Sequence, residues 1–144
     1  MRNLLIISDS HHMNNELEEI LKKYKDFFII HCGDYCIDNK ILKKYNVLYV
    51  DGNCDRFDDN LERIIELDGK KILITHGHMY NVKYSYQNLY YRAKENECDY
   101  VFFGHTHEKA LFNHDGITFI NPGSLKYGRT YVLVINDEII FKEY

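Results

Sequence analysis

The sequence predicts an α/β fold in which two packed β-sheets are flanked by helices. Two observations support this fold class. Residues 1–50 alternate short apolar runs with amphipathic segments, which is typical of parallel strands joined by helices. The later part of the chain contains paired apolar runs around Asp-Gly and Asn-Asp dipeptides, which favour antiparallel hairpins.

The first half is predicted to form a β-α-β-α-β unit. Its strands are the apolar runs NLLIIS (3–8), FFII (27–30) and VLYV (47–50). Its helices are NNELEEILKKYK (14–25) and DNKILKKY (38–45). The first helix has apolar residues at helical spacing, with acidic residues early and lysines late, as the helix dipole prefers. We therefore expect a parallel sheet whose loops meet at the carboxyl ends of the strands.

The second half is predicted to be mostly antiparallel. A hairpin is expected around Asp68-Gly69 within residues 63–75, and a helix over residues 84–97. Strands are then expected in the segments 100–104, 110–120 and 130–141, with tight turns at Asp115-Gly116 and Asn136-Asp137.

Composition excludes several classes of protein. The 144 residues include one proline and no repeat or linker, so a single domain spanning 1–144 is expected. A net charge of −4 without a basic stripe argues against a nucleic-acid duplex as partner. The first apolar run is too short for a membrane span or signal peptide, and the four cysteines show no zinc-finger pairing. We expect a cytoplasmic protein with no membrane partner; a homo-oligomer such as a dimer remains open.

Polar clusters follow five of the predicted strands. They are Asp9, His11 and His12; His31 and Asp34; Asp51, Asn53 and Asp55; His76 and His78; and His105 and His107. Strand carboxyl ends are where open α/β sheets place ligand sites, so one constellation is expected. On an extended strand His105 and His107 would point to the same side. Any one cluster alone is more often a turn or a helix cap than a site.

The chemistry of these side chains predicts divalent metal. Imidazole, carboxylate and amide ligands suit manganese, iron, zinc, nickel or cobalt. Seven groups are too many for one open catalytic ion, but they suit two ions that share a carboxylate. These seven candidate ligands are Asp9, His11, Asp34, Asn53, His76, His105 and His107.

The order of the motifs resembles that of the calcineurin-like metallophosphoesterases. The matching motifs are Asp9-x-His11, Gly33-Asp34, the GNCD of residues 52–55, His76-Gly-His78, Gly104-His-x-His107 and the NPGS of residues 121–124. The short chain is similar to the small bacterial and archaeal phosphodiesterase branch, which is related in fold to a retromer subunit. The resemblance implies a four-layer α/β/β/α sandwich, with two mixed β-sheets flanked by helices, and a dinuclear metal site at the strand ends.

The resemblance also implies an activity and a ligand set. A phosphodiester would be hydrolysed by in-line attack of a hydroxide that bridges two ions, with manganese the expected metal. One ion would be bound by Asp9, His11, Asp34 and His107, and the other by Asp34, Asn53, His76 and His105, with Asp34 shared. The NPGS segment would be structural. A small phosphodiester is the expected substrate; a phosphomonoester, a nucleotide pyrophosphate or a non-catalytic scaffold role are alternatives.

One departure from the family pattern affects the catalytic residues. Larger members carry a histidine after the Asn of the third motif, where this chain has Cys54. A thiol is a poorer general acid near neutral pH, so activated leaving groups would be favoured. Asn53 is expected to fix geometry, and Asp55 or His78 are candidates to assist the leaving group. Cys36 and Cys54 are expected to be bystanders near the site.

Overall fold

The structure, a computed structural model, describes residues 1–57 and 59–144. The strands are β1 (Leu4–Ile7), β2 (Phe28–His31), β3 (Leu48–Tyr49), β4 (Glu62–Leu67), β5 (Lys70–Thr75), β6 (Tyr100–Phe102), β7 (Lys109–His114), β8 (Ile117–Pro122), β9 (Thr130–Ile135) and β10 (Glu138–Glu143). The α-helices are α1 (Asn14–Lys23), α2 (Lys40–Lys44) and α3 (Gln87–Glu95), and a 3-10 turn covers His78–Tyr80. The 3-10 turn was not predicted from the sequence.

The first sheet has the strand order β10-β9-β1-β2-β3. As predicted, β1 pairs with β2, and β2 with β3, in parallel. The chain then adds β9 antiparallel to β1, and the β9–β10 hairpin turns at Asn136-Asp137 as expected. Both turn residues have positive φ, as a tight hairpin turn requires.

The second sheet has the strand order β4-β5-β6-β8-β7, and together with the β9–β10 hairpin it makes the pairing of the second half mostly antiparallel, as predicted. Its two edge pairs are antiparallel hairpins, turning at Asp68-Gly69 and Asp115-Gly116 as predicted. Its centre is parallel, because β5 pairs with β6 and β6 with β8 in the same direction. The cause is α3, which crosses over between β5 and β6 and so makes a β-α-β unit. The sheet is therefore mixed.

Alternation along β1 shows how the layers pack. Leu5 and Ile7 face a core cluster that includes Leu17 and Leu21 of α1, on the outer side of the first sheet. Leu4 and Ile6 face the opposite way, into a cluster shared with the second sheet. A third cluster packs the outer face of the second sheet against α3, through residues such as Leu89. The four layers are thus α/β/β/α, which confirms the predicted fold.

The parallel strands of both sheets direct several strand carboxyl ends to one side of the molecule. The loops after β1, β2, β3, β5 and β6 carry the polar clusters identified in the sequence. Within residues 1–57 and 59–144, no helix is both long enough and apolar enough to cross a membrane.

Candidate metal centre

Six of the seven candidate ligands form two adjacent groups. Each group contributes three ligand atoms that lie within 4.8 Å of one another. The first group, hereafter site 1, is Asp9, His11 and His107; the second, site 2, is Asp34, His76 and His105. Each joins a carboxylate to two imidazoles, a donor set that suits borderline divalent cations.

The backbone at both sites is strained. Five of these six ligands have positive φ: Asp9 (53°), His11 (48°), Asp34 (60°), His105 (72°) and His107 (65°). A non-glycine residue in this region costs on the order of 1–3 kcal/mol and persists when its surroundings fix it. Here the backbone N–H of Asp9 donates to Gly33 O at 2.9 Å, and that of His11 donates to Asp34 O at 2.8 Å. The loops after β1 and β2 therefore position each other.

The two histidines of the HTH segment converge for a different reason than strand alternation. β6 ends at Phe102, so His105 and His107 lie in a loop and not on an extended strand. Each is turned by its own left-handed backbone, and they enter different groups, His105 in site 2 and His107 in site 1. The Thr106 hydroxyl accepts a hydrogen bond from the Asn121 amide at 3.0 Å.

The NPGS segment supports this loop. Asn121 is buried, and its side-chain amide also donates to Gly104 O at 3.1 Å. Ser124 donates from its hydroxyl to Asp9 O at 2.9 Å. Both ends of the segment thus bind the backbone of ligand-bearing loops, which agrees with a structural role.

Two motif glycines permit the close approach of these loops. A Cβ on Gly52 would lie 2.2 Å from Asp34 Oδ1, and a Cβ on Gly104 would lie 2.0 Å from Ser8 Oγ and 2.6 Å from Asp9 Oδ2. Any side chain at either position would displace a carboxylate of the site. The Gly in GNCD and in GHTH is therefore needed for space.

Site 1 contains buried polar atoms without protein partners. Asp9 Oδ2 accepts hydrogen bonds from Ser8 Oγ at 2.5 Å and from the His105 N–H at 3.1 Å. Asp9 Oδ1 and His11 Nε2 are buried and have no hydrogen-bond partner within residues 1–57 and 59–144. Asp9 Oδ1 lies 3.2 Å from His107 Nε2, so the three atoms surround one point. Such orphaned groups are costly unless a cation satisfies them, so the residues fit a metal ion.

Site 2 shows the outer hydrogen bonding that orients metal ligands. His76 is buried, and its Nδ1–H donates to Cys32 O at 2.8 Å, which leaves Nε2 free to bind. This Nε2 lies 3.2 Å from Asp34 Oδ2 and 3.2 Å from His105 Nδ1. Asp34 Oδ1 accepts the Cys54 N–H at 2.8 Å. His76 Nε2 also lies 3.8 Å from Asp9 Oδ1, so the two sites adjoin.

The protonation states of His11, His105 and Asp34 suit metal ligation, whereas the pKa of His76 is shifted in the opposite sense. Burial lowers the pKa of His11 and lowers the pKa of His105 to about 4, so both imidazoles keep a lone pair near neutral pH. Burial alone would raise the pKa of Asp34, but hydrogen bonding and charge from His76 hold it below its usual range. Burial alone would lower the pKa of His76. The hydrogen bond to Asp34 and the charges of Asp9 and Asp34 outweigh this effect and raise the pKa. Site 2 thus contains an ionised carboxylate.

Asn53 and His78 lie beside site 2. Asn53 is exposed on the turn after Gly52, and with His78 it lines a cavity of about 400 Å³. The His78 ring is 5.5 Å from that of His76 and 6.1 Å from that of His105. Its Nδ1 is buried and has no hydrogen-bond partner in the part of the chain that the structure describes. Burial lowers the pKa of His78. Metal binding by Asn53 and catalytic roles for Asn53 and His78 remain predictions.

The contacts of Asp55 indicate a structural role. Its carboxylate is buried and accepts three backbone N–H bonds, from Asp34 at 2.6 Å, Gly52 at 2.8 Å and Cys36 at 2.8 Å. Burial raises the pKa of Asp55 although these hydrogen bonds oppose the shift. Both oxygens are thus used to join the loops after β2 and β3, and the predicted part in protonating a leaving group gains no support from these contacts.

Replacing Asp55 by alanine should lower the free energy of unfolding by about 3 kcal/mol or more, since three N–H groups lose their acceptor. Chemical denaturation of chelated protein measures the change. Asp26→Ala is the matched control, because Asp26 is exposed; a change within about 0.5 kcal/mol is expected there. A stable Asp55→Ala variant with greatly reduced turnover would instead support the catalytic interpretation.

Two contributions to the site were not predicted from the sequence: the ring of Tyr127 and the hydrogen bonds of His31. The Tyr127 ring stacks on His107, with centroids 4.8 Å apart, and contacts His11 edge-on at 5.3 Å. His31 is the last residue of β2. It is buried below the site, where its Nδ1 accepts the Gly33 N–H at 3.0 Å and its Nε2–H donates to Ser10 Oγ at 2.8 Å. Burial lowers the pKa of His31 to about 3, so this linkage is neutral.

Sequence comparison identifies related proteins. A profile described as the calcineurin-like phosphoesterase superfamily domain matches residues 1–135. The probable metallophosphoesterase YsnB of Bacillus subtilis is 40% identical over 132 residues, which cover 88% of this chain and 77% of YsnB. The phosphodiesterase MJ0936 of Methanocaldococcus jannaschii is 30% identical over 141 residues, which cover 82% of this chain and 81% of MJ0936.

Structural comparison agrees. A predicted phosphoesterase of Streptococcus pneumoniae superposes with a TM-score of 0.89 at 28% identity, covering 99% of this chain and 89% of that protein. Vps29 of Entamoeba histolytica, in a zinc complex, superposes with a TM-score of 0.76 at 20% identity, covering 97% of each chain. At that identity the second match supports the fold alone.

Proposed function

Since the chain belongs to the calcineurin-like phosphoesterase superfamily, we propose that it is a phosphodiesterase that uses two divalent cations. The observation that carries the proposal is the pair of adjoining groups, site 1 and site 2, each with one carboxylate and two imidazoles. Membership of the family implies divalent metal binding. The number of ions, their identity and the bond that is hydrolysed belong to the proposal, with manganese the expected metal.

Asp34 is proposed as the shared ligand. Its carboxylate is in contact with His76 of site 2, and its charge acts on His11 of site 1. Two bound ions would supply a nucleophile from water near neutral pH and would bind the phosphoryl oxygens. The imidazoles and carboxylates fix the ions so that little reorganisation is needed during reaction. Asn53, on the exposed turn beside site 2, would help to orient the phosphoryl group.

Two features favour a diester with an activated leaving group. The relative MJ0936 is named a phosphodiesterase. Cys54 is exposed beside the site; partial desolvation of its thiol and the charge of Asp34 raise the pKa of Cys54, so it is a poor proton donor at neutral pH. A leaving group that needs little protonation, such as a nitrophenolate, should therefore react best.

With manganese added, bis-p-nitrophenyl phosphate should be hydrolysed at least about tenfold faster than p-nitrophenyl phosphate, a barrier difference of about 1.4 kcal/mol. Release of p-nitrophenol measures both rates, and chelation should abolish them until metal is restored. A faster monoester reaction would favour a phosphomonoesterase. Hydrolysis of neither compound by fully metal-loaded protein would favour a scaffold role.

A further inference from the structure

Two thiols and one imidazole meet on the outer side of site 1. Ligand atoms of His11, Cys36 and Cys54 all lie within 4.8 Å of one another. Cys36 Sγ is 3.4 Å from His11 Nδ1. We propose that His11, Cys36 and Cys54 form a further metal site, hereafter the thiol site, which binds one thiophilic divalent cation such as zinc or cadmium.

The distances suit tetrahedral coordination. With zinc–sulfur bonds of about 2.3 Å and zinc–nitrogen bonds of about 2.0–2.1 Å, a tetrahedral angle separates sulfur from nitrogen by about 3.5 Å and sulfur from sulfur by about 3.8 Å. The observed separation of Cys36 Sγ and His11 Nδ1, 3.4 Å, is close to the first value. The remaining separations are below 4.8 Å, so small side-chain rotations bring three ligands into place. A fourth position stays open to water.

Buried carboxylates hold the two thiols in position. The Cys36 N–H donates to Asp55 Oδ1 at 2.8 Å, and the Cys54 N–H donates to Asp34 Oδ1 at 2.8 Å. The thiols therefore project from two loops that Asp55 joins directly. Cys54 is exposed and Cys36 is partly buried, so a cation has a path from solvent. Binding would displace the two thiol protons into water.

His11 connects this site to site 1. Its Nδ1 contacts Cys36, while its Nε2 is buried without a hydrogen-bond partner among the described residues. A neutral imidazole has one lone pair, so His11 can serve one cation at a time. Occupation of the thiol site would therefore withdraw His11 from site 1 and slow turnover. This consequence, unlike the binding itself, rests on the proposed function.

Cadmium titration of reduced protein tests the binding directly. Cadmium–thiolate bonds give a charge-transfer absorption in the ultraviolet, which nitrogen and oxygen ligands do not. Wild-type protein should develop this band during the titration, and both Cys36→Ser and Cys54→Ser should weaken the cadmium binding that the band reports by at least about 10-fold. Cys98→Ser is the matched control, because Cys98 is buried against α3 in another core cluster; its titration should match that of wild type.

The outcomes separate this proposal from the phosphodiesterase proposal. The band reports sulfur coordination whether or not the protein hydrolyses any ester. No band in wild type, an unchanged band in both Cys36→Ser and Cys54→Ser, or equal loss in Cys98→Ser would overturn the thiol site. If the site exists, excess zinc should inhibit manganese-loaded wild type at about a tenth of the concentration that inhibits Cys54→Ser. If zinc inhibits wild type and Cys54→Ser equally while the band is present, the thiol site stands and only the competition for His11 is overturned.

Discussion

Asp34→Asn should lose both metal ions and lower turnover by about a thousandfold, which corresponds to about 4 kcal/mol of transition-state stabilisation. The substitution keeps the shape of the side chain but removes its charge. Asp34 Oδ2 lies 3.2 Å from His76 Nε2, and its backbone oxygen accepts the His11 N–H at 2.8 Å, so this residue touches ligands of both sites. Elemental analysis of dialysed protein gives the number of ions bound.

Asp38→Asn is the matched control for that experiment. Asp38 follows in the same loop but is exposed and accepts the Lys40 N–H at 3.0 Å. It should bind two ions and keep its turnover. An Asp34→Asn protein that still contains two tightly bound ions would show that Asp34 is not shared.

His105→Ala and His107→Ala should each bind one ion instead of two, and each should lose about a hundredfold or more in turnover. The reason is that His105 belongs to site 2 and His107 to site 1, although one residue separates them in sequence. The double variant distinguishes the possibilities. If the two histidines serve different ions it should bind none tightly, whereas if they serve the same ion it should still bind one.

His114→Ala provides the control for the histidine variants. His114 is exposed at the end of β7, where its ring contacts Tyr90 at 4.7 Å. Metal content and turnover should match those of wild type. Two ions in either single variant, or one ion in the double variant, would contradict the division between the sites.

The fold was predictable from local patterns because they agree with the tertiary contacts. Leu4 to Ile7 form a continuous apolar run, and the structure buries both of its faces, one against α1 and one against the second sheet. The Asp-Gly and Asn-Asp pairs determine hairpins through residues that tolerate positive φ. The direction of β6 was missed, because strand direction follows from the helix that precedes it and not from the composition of the strand.

The six candidate ligands of site 1 and site 2 were predictable as neighbours because each follows a strand, and strand ends converge. What their neighbours do was not predictable. The three acceptor bonds of Asp55, the stacking of Tyr127 on His107 and the meeting of Cys36 with Cys54 all join segments distant in sequence. The same holds for the left-handed backbone at His105 and His107, since both residues usually adopt other conformations.

The central claim, that two cations occupy site 1 and site 2, is tested most directly by anomalous scattering from wild-type crystals grown with manganese. The account predicts two adjacent peaks, one among Asp9, His11 and His107 and the other among Asp34, His76 and His105. A single, fully occupied manganese peak, or a peak remote from these residues, would contradict it.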